Sequence, residues 1–137
     1  PDLIAGLTKC KGQTDSGAPI FIQKAGIKAL EMYGDDGSIP KAIADNMATY
    51  AERRKVLVEG LRKLGYDVVM PKGTFYVWFN CGMSSAEFTQ KMIDLGVIVT
   101  PGNGFGESAD GYIRMTVTEP VERIKIALER MERGSYQ

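Results

Sequence analysis

The strongest periodic signal lies in the middle of the chain. Ile43, Met47, Tyr50, Leu57, Leu61 and Leu64 recur at spacings of three, four or seven, the repeat of one helical face. Ser38 suits the cap of this helix, Pro40 its first turn, and Gly65 the C′ glycine that ends it. Glu52, Arg53, Lys55, Glu59 and Arg62 fall on the opposite face, which reads as solvated. Upstream, Leu3, Ile4 and Leu7 give a short helical pattern over residues 2–11, closed by Gly12. After the polar break "GQTDSGAP", Pro19 opens a second helix whose apolar surface runs through Ile20, Ala25, Ile27, Ala29 and Leu30 to Gly34.

Beyond Gly65 the period changes. "YDVVM" and "TFYVWFN" read as strands split by the turn signal "PKG". In the second, Phe75, Val77 and Phe79 point one way, and Thr74, Tyr76 and Trp78 the other. Both faces are bulky, so both are expected to be covered; Tyr76 and Trp78 suit core or domain-interface packing better than a ligand site. "SSAEF" offers a Ser84-x-x-Glu87 capping box to a short helix through Phe88, Met92 and Leu95 that stops at Gly96. "VIVTP" is a four-residue strand ended by proline, "GYIRMTVTEP" is a strand entering a helix, and Val121, Ile124, Leu128 and Met131 form the stripe of that last helix. Three helices, two strands, a helix, two strands and a helix predict an α+β fold with helices on one face of a small mixed β-sheet.

Composition narrows the chemistry. The 137 residues suit one domain, and 44% hydrophobic with 25% charged residues is a soluble globular balance. Seventeen basic and seventeen acidic residues cancel, which excludes a global field for nucleic acid or an anionic membrane. Any affinity for an anion must be local. No apolar run reaches the ~20 residues of a membrane span and the N-terminus lacks a signal-peptide layout, so a cytoplasmic protein is expected. Histidine is absent, which removes Ser-His and Cys-His nucleophiles and His-based metal sites. Cys10 and Cys81 are too few for a disulfide framework or a four-ligand zinc site and read as free thiols. Chemistry would have to come from Lys, carboxylates, Tyr or a cofactor.

Among candidate motifs, "GNGFG" lacks the spacing of a dinucleotide fingerprint, leads into a strand and is not followed by Gly-Lys-Ser/Thr, so nucleotide binding is rejected. Its glycines permit a close-packed path beside another surface, and Phe105 can cover a pocket. Asp35-Asp36 is a turn pair, and Asp15 and Ser16 are local backbone partners in another turn. Arg114 is the open question. Alternation sends Ile113, Met115 and Val117 to one face and Tyr112, Arg114 and Thr116 to the other. Pattern alone allows a solvent-facing arginine, or a rigidly mounted planar fork that takes a carboxylate through two charge-assisted hydrogen bonds.

In order, "DSGAPIFIQKAGIKAL", "YAERRKVLVEGLRKLGYDVVMPKGTFYVWFN" and "VIVTPGNGFGESADGYIRMTV" resemble the C-terminal part of a fold-type I, class I/II aminotransferase, of the flavour that includes LL-diaminopimelate aminotransferases. The most specific match is P-x-G-x-F/Y-x-x-W, then V-x-x-x-P-G-x-x-F-G and Y-I-R, carried here by Pro71, Gly73, Phe75, Trp78, Val97, Pro101, Gly102, Phe105, Gly106, Tyr112, Ile113 and Arg114. The resemblance implies that residues 1–34 are part of the interdomain helix region and 35–137 the small C-terminal domain. It gives Arg114 the substrate α-carboxylate, and sets Asp15, Ser16 and Phe105 near the active site or the interface of a homodimer. The family's Schiff-base lysine segment does not occur in the chain, which begins at Pro1 and reads as the interior of something longer. Pyridoxal phosphate would therefore be held only by the full-length enzyme, which moves an amino group between an amino acid and a 2-oxo acid. The fragment itself is expected to be inactive and to expose the apolar face of residues 18–32. A stand-alone regulatory or interaction module, or a β-lyase or decarboxylating member of the same superfamily, are the alternatives.

Overall fold

The computed structural model describes residues 1–134 and divides the chain into two compact units, Pro1–Ala44 and Asp45–Gln137. In the first unit, α1 spans Asp2–Thr14 and α2 spans Ile20–Leu30. α1 runs past Gly12 because the Asp15 N–H still bonds the Lys11 carbonyl at 3.0 Å and Thr14 Oγ1 the Cys10 carbonyl at 2.9 Å. Pro19 stands at the N-cap of α2, one place earlier than a first-turn position. Neither helix has a buried residue: Leu3, Phe21 and Leu30, for example, are 90%, 73% and 73% exposed.

α3, Lys41–Lys63, begins in the first unit and runs through the second, where it buries Leu57, Val58 and Leu61. The C-terminal part of its predicted stripe thus enters a core. The second unit continues with β1 (Tyr76–Asn80), α4 (Ser85–Asp94), β2 (Thr100–Pro101), two 3-10 turns (Gly102–Phe105 and Glu107–Ala109), β3 (Tyr112–Thr116) and α5 (Val121–Gly134). The sheet order is β1-β3-β2, with β3 central. Val77, Phe79, Ile113 and Met115 on one face join Leu57, Leu61, Phe88, Met92, Ile124 and Met131 from the helices in a single core. α+β architecture with helices on one face is what the pattern predicts.

Two details differ from that prediction. Among the described residues the sheet is antiparallel throughout, not mixed, and it has three strands instead of four. "YDVVM" forms no strand, and the Val68 carbonyl accepts both Nε and Nη2 of Arg62, at 2.9 and 2.7 Å. Arg62, on the face expected to be solvated, is therefore a clasp. "VIVTP" pairs only at Thr100 and Pro101. Its start is used to end α4: Gly96 sits at φ +70° and the Val97 N–H bonds back to the Met92 carbonyl at 2.8 Å, a Schellman ending. α3 ends the same way, with Gly65 at φ +91° and the Tyr66 N–H on the Leu61 carbonyl.

The capping box also resolves differently. Ser84 is the N-cap of α4 but makes no side-chain cap bond. Instead Asp110 Oδ1 accepts the Ser85 N–H at 2.9 Å and the Ser85 hydroxyl at 2.7 Å. A carboxylate from a distant loop thus satisfies an orphan N–H at the positive end of the helix dipole. These same bonds hold the Asp110 carboxyl below its ordinary value of 3.8, the Ser85 hydroxyl being the largest cause. Ser85 Oγ accepts the Asn103 N–H at 3.3 Å, so the glycine-rich loop is tied to α4 from both of its ends.

Candidate functional site

The sheet face turned away from the helices carries Tyr76 and Trp78 from β1 and Tyr112 and Arg114 from β3. In the antiparallel register Trp78 stands opposite Arg114 and Asn80 opposite Tyr112. Side chains on one face of a twisted pair also meet along the diagonal, two residues off the direct partner. Both contacts here take that diagonal. The Arg114 guanidinium carbon lies over the Tyr76 ring, 4.1 Å from its centroid, and the Tyr112 ring stacks on Trp78 at 5.9 Å and 14°. Phe105 completes the cluster from the loop, with its centroid 4.8 Å from the Arg114 guanidinium carbon and 5.4 Å from Trp78.

The loop can present Phe105 this way because of its glycines. Gly102 is buried, and a Cβ there would strike the Ala109 carbonyl oxygen and come within 2.6 Å of that of Tyr112. Gly106, at φ +128°, lies in a region that side chains rarely enter and lets the chain turn from one 3-10 turn to the next. The close surface that the sequence predicts for "GNGFG" is the loop's own returning backbone.

Arg114 is half-buried and its Nε is shielded from solvent, yet that N–H has no hydrogen-bond partner among the described residues. No carboxylate pairs with the guanidinium either. A buried donor left unsatisfied costs about 1–3 kcal/mol, which an arriving acceptor recovers. A guanidinium packed against two rings, with no hydrogen-bond partner of its own among the described residues, has donors to offer an acceptor. Of the two readings that pattern allows for Arg114, this geometry has the features of the second.

Of the candidate residues, the structure brings Arg114 and Phe105 together. Asp15 and Ser16 belong to the first unit, where Asp15 Oδ1 accepts Lys11 Nζ at 2.6 Å and the Gly17 N–H at 2.8 Å, an Asx turn closed by an i,i+4 ion pair. Tyr76 and Trp78, read from the pattern as suited to core or domain-interface packing, lie outside the core beside Arg114 and Tyr112. Trp78 is 37% exposed and outside the core. The missing signal was the register of β1 on β3, which a single sequence does not carry. Phe75 also departs from the alternation, being 42% exposed with its ring 4.3 Å from that of Tyr76. Thr74, at φ +65°, breaks the extended path just before it.

No lysine stands in any of the three strands. The site is a cation and an aromatic wall.

This fold and site define a domain of the aminotransferase kind, and comparison with known proteins agrees. A family model, aminotransferase class I and II, matches residues 2–131, and the chain belongs to that family. It is 41% identical over 138 residues to the LL-diaminopimelate aminotransferase of Syntrophobacter fumaroxidans, covering 98% of this chain and 34% of that protein. With the LL-diaminopimelate aminotransferase of Halothermothrix orenii the identity is 43%, over 99% of this chain and 34% of the relative. Among solved structures, the aspartate aminotransferase of Thermus thermophilus with maleate superposes with a TM-score of 0.76 at 27% identity, over 97% of this chain and 34% of that one. The chain thus spans about a third of the length of the relatives it matches.

Proposed function

We propose that this chain is the substrate-gripping part of a longer amino-acid aminotransferase, with residues 1–34 in the interdomain helix region and 35–137 the small C-terminal domain, and that Arg114 binds the substrate's α-carboxylate. The observation that carries this is the Arg114 guanidinium, braced by Tyr76 and Phe105 on the open sheet face with a buried N–H and no acidic partner among the described residues. Family membership supplies the context. Class I and II aminotransferases depend on pyridoxal phosphate, which stabilises negative charge at the substrate's α-carbon. The work of this chain is binding and orientation. Arg114 fixes one end of the substrate in both half-reactions, which sets the α-carbon at a constant distance from whatever reacts with it. The rings shield Nε of the guanidinium from water, so a charge-assisted bond made there is strengthened.

The relatives' names point to LL-diaminopimelate as the amino donor or product, exchanged with a 2-oxo acid, and the maleate complex of the Thermus enzyme supports a carboxylate ligand in this family. Asp15 and Ser16 lie in this reading near the interface of a homodimer, in a cytoplasmic enzyme. The test uses the full-length protein, assayed with LL-diaminopimelate and a panel of amino acids and 2-oxo acids. Arg114→Ala is expected to raise KM for the amino acid roughly a hundredfold, about 3 kcal/mol of lost bidentate bonding. An unchanged KM would remove Arg114 from the role.

A further inference from the structure

We infer that Tyr76 is a positioning residue for Arg114: its ring, not its hydroxyl, holds the guanidinium in the orientation that receives the carboxylate. This rests on the carboxylate-binding reading of Arg114 and adds a residue that acts through it. Proteins commonly orient a half-buried arginine with an Asp or Glu, but an acid beside Arg114 would occupy the donors that a substrate carboxylate needs. A ring avoids that conflict. Cation–π contact uses the face of the guanidinium and leaves its five in-plane N–H groups free.

The geometry has both halves of that arrangement. The guanidinium carbon is 4.1 Å from the Tyr76 centroid, well inside the ~6 Å range of the interaction. No carboxylate pairs with Arg114 among the described residues, and its shielded Nε has no partner. Tyr76 also sits on a strand, locked to Thr116 of β3 by the ladder, so both members of the pair ride on one rigid element. Phe105 adds a second ring at 4.8 Å, but it is 53% exposed and comes from a loop, and its part is secondary.

The experiment compares Tyr76→Phe, Tyr76→Leu, Tyr76→Met and Arg114→Ala in the full-length holoenzyme, measuring kcat, KM for LL-diaminopimelate and melting temperature. Tyr76→Leu is expected to raise KM about tenfold while kcat stays within about twofold, and Tyr76→Phe to restore the parent KM. A packing role alone would lower the melting temperature without that KM-against-kcat split. Tyr76→Met keeps the bulk without the ring and gives the same reading if the leucine variant does not fold. An unchanged KM in the ringless variants, or an equal loss in Tyr76→Phe, overturns the assignment. If Arg114→Ala also leaves KM unchanged, it is the carboxylate-binding reading that fails; if only the Tyr76 variants are silent, the failure belongs to Tyr76.

Discussion

Gly102 has no room for a methyl group, because a Cβ there runs into two backbone carbonyl oxygens, those of Ala109 and Tyr112, which cannot rotate away. Gly102→Ala should therefore displace the loop that carries Phe105, with a loss of about 2–3 kcal/mol measurable by denaturant unfolding. Gly60 offers the contrast. A Cβ at that position meets only the Leu128 side chain of α5, whose rotamer can change, so Gly60→Ala should destabilise less. Equal losses in the two variants would show that the distinction between backbone and side-chain obstacles does not hold here. The sequence announces a close approach by clustering glycines, and that much of "GNGFG" was legible. Which glycine is indispensable depends on where the chain returns, at Ala109 and Tyr112, and no local pattern encodes it.

At the level of elements, the helices are legible in the sequence and the strands less so. α3, α4 and α5 owe their existence to periodic stripes, and α3 and α4 their ends to Gly65 and Gly96, all of which are local signals. Strand pairing is non-local, so the stretch at 66–70 reads as a strand and forms none; Arg62 takes its Val68 carbonyl. The cap of α4 is non-local too, coming from Asp110 and not from Glu87. It has a pH signature. The Asp110 carboxyl is held below 3.8 in the folded protein, so its contribution is complete above that value and disappears as pH falls through the depressed folded value. Asp110→Asn should accordingly weaken the domain at neutral pH, and the gap between parent and variant should close in acid below 3.8. Denaturant unfolding over that pH range checks the sign; a gap that persists unchanged in strong acid would mean that Asp110 acts through packing and not through charge.

For the molecule as a whole, the two units differ in kind. The second has a core of sixteen buried apolar residues, enough to specify one arrangement. Neither complete helix of the first buries a residue, so the unit has helical backbone bonds without a hydrophobic reason to keep them, and helices of this length are marginal in water. A peptide of residues 1–44 is expected to be mostly unfolded by circular dichroism, and the chain to bind a hydrophobic dye more strongly than a variant lacking residues 1–34. A stably helical peptide would contradict this. The exposed face of residues 18–32 is what the family resemblance implies; periodicity alone gives only its apolar surface. The antiparallel register of β1 on β3 carries a further consequence, for descent. One sheet face is core and the other is open, so a one-residue slip of β1 against β3 would exchange Val77 and Phe79 with Tyr76 and Trp78. Such a change would spoil stability and recognition in one step. Lineages of this domain are therefore constrained to keep the register of β1 on β3, and with it the side on which each residue of β1 falls.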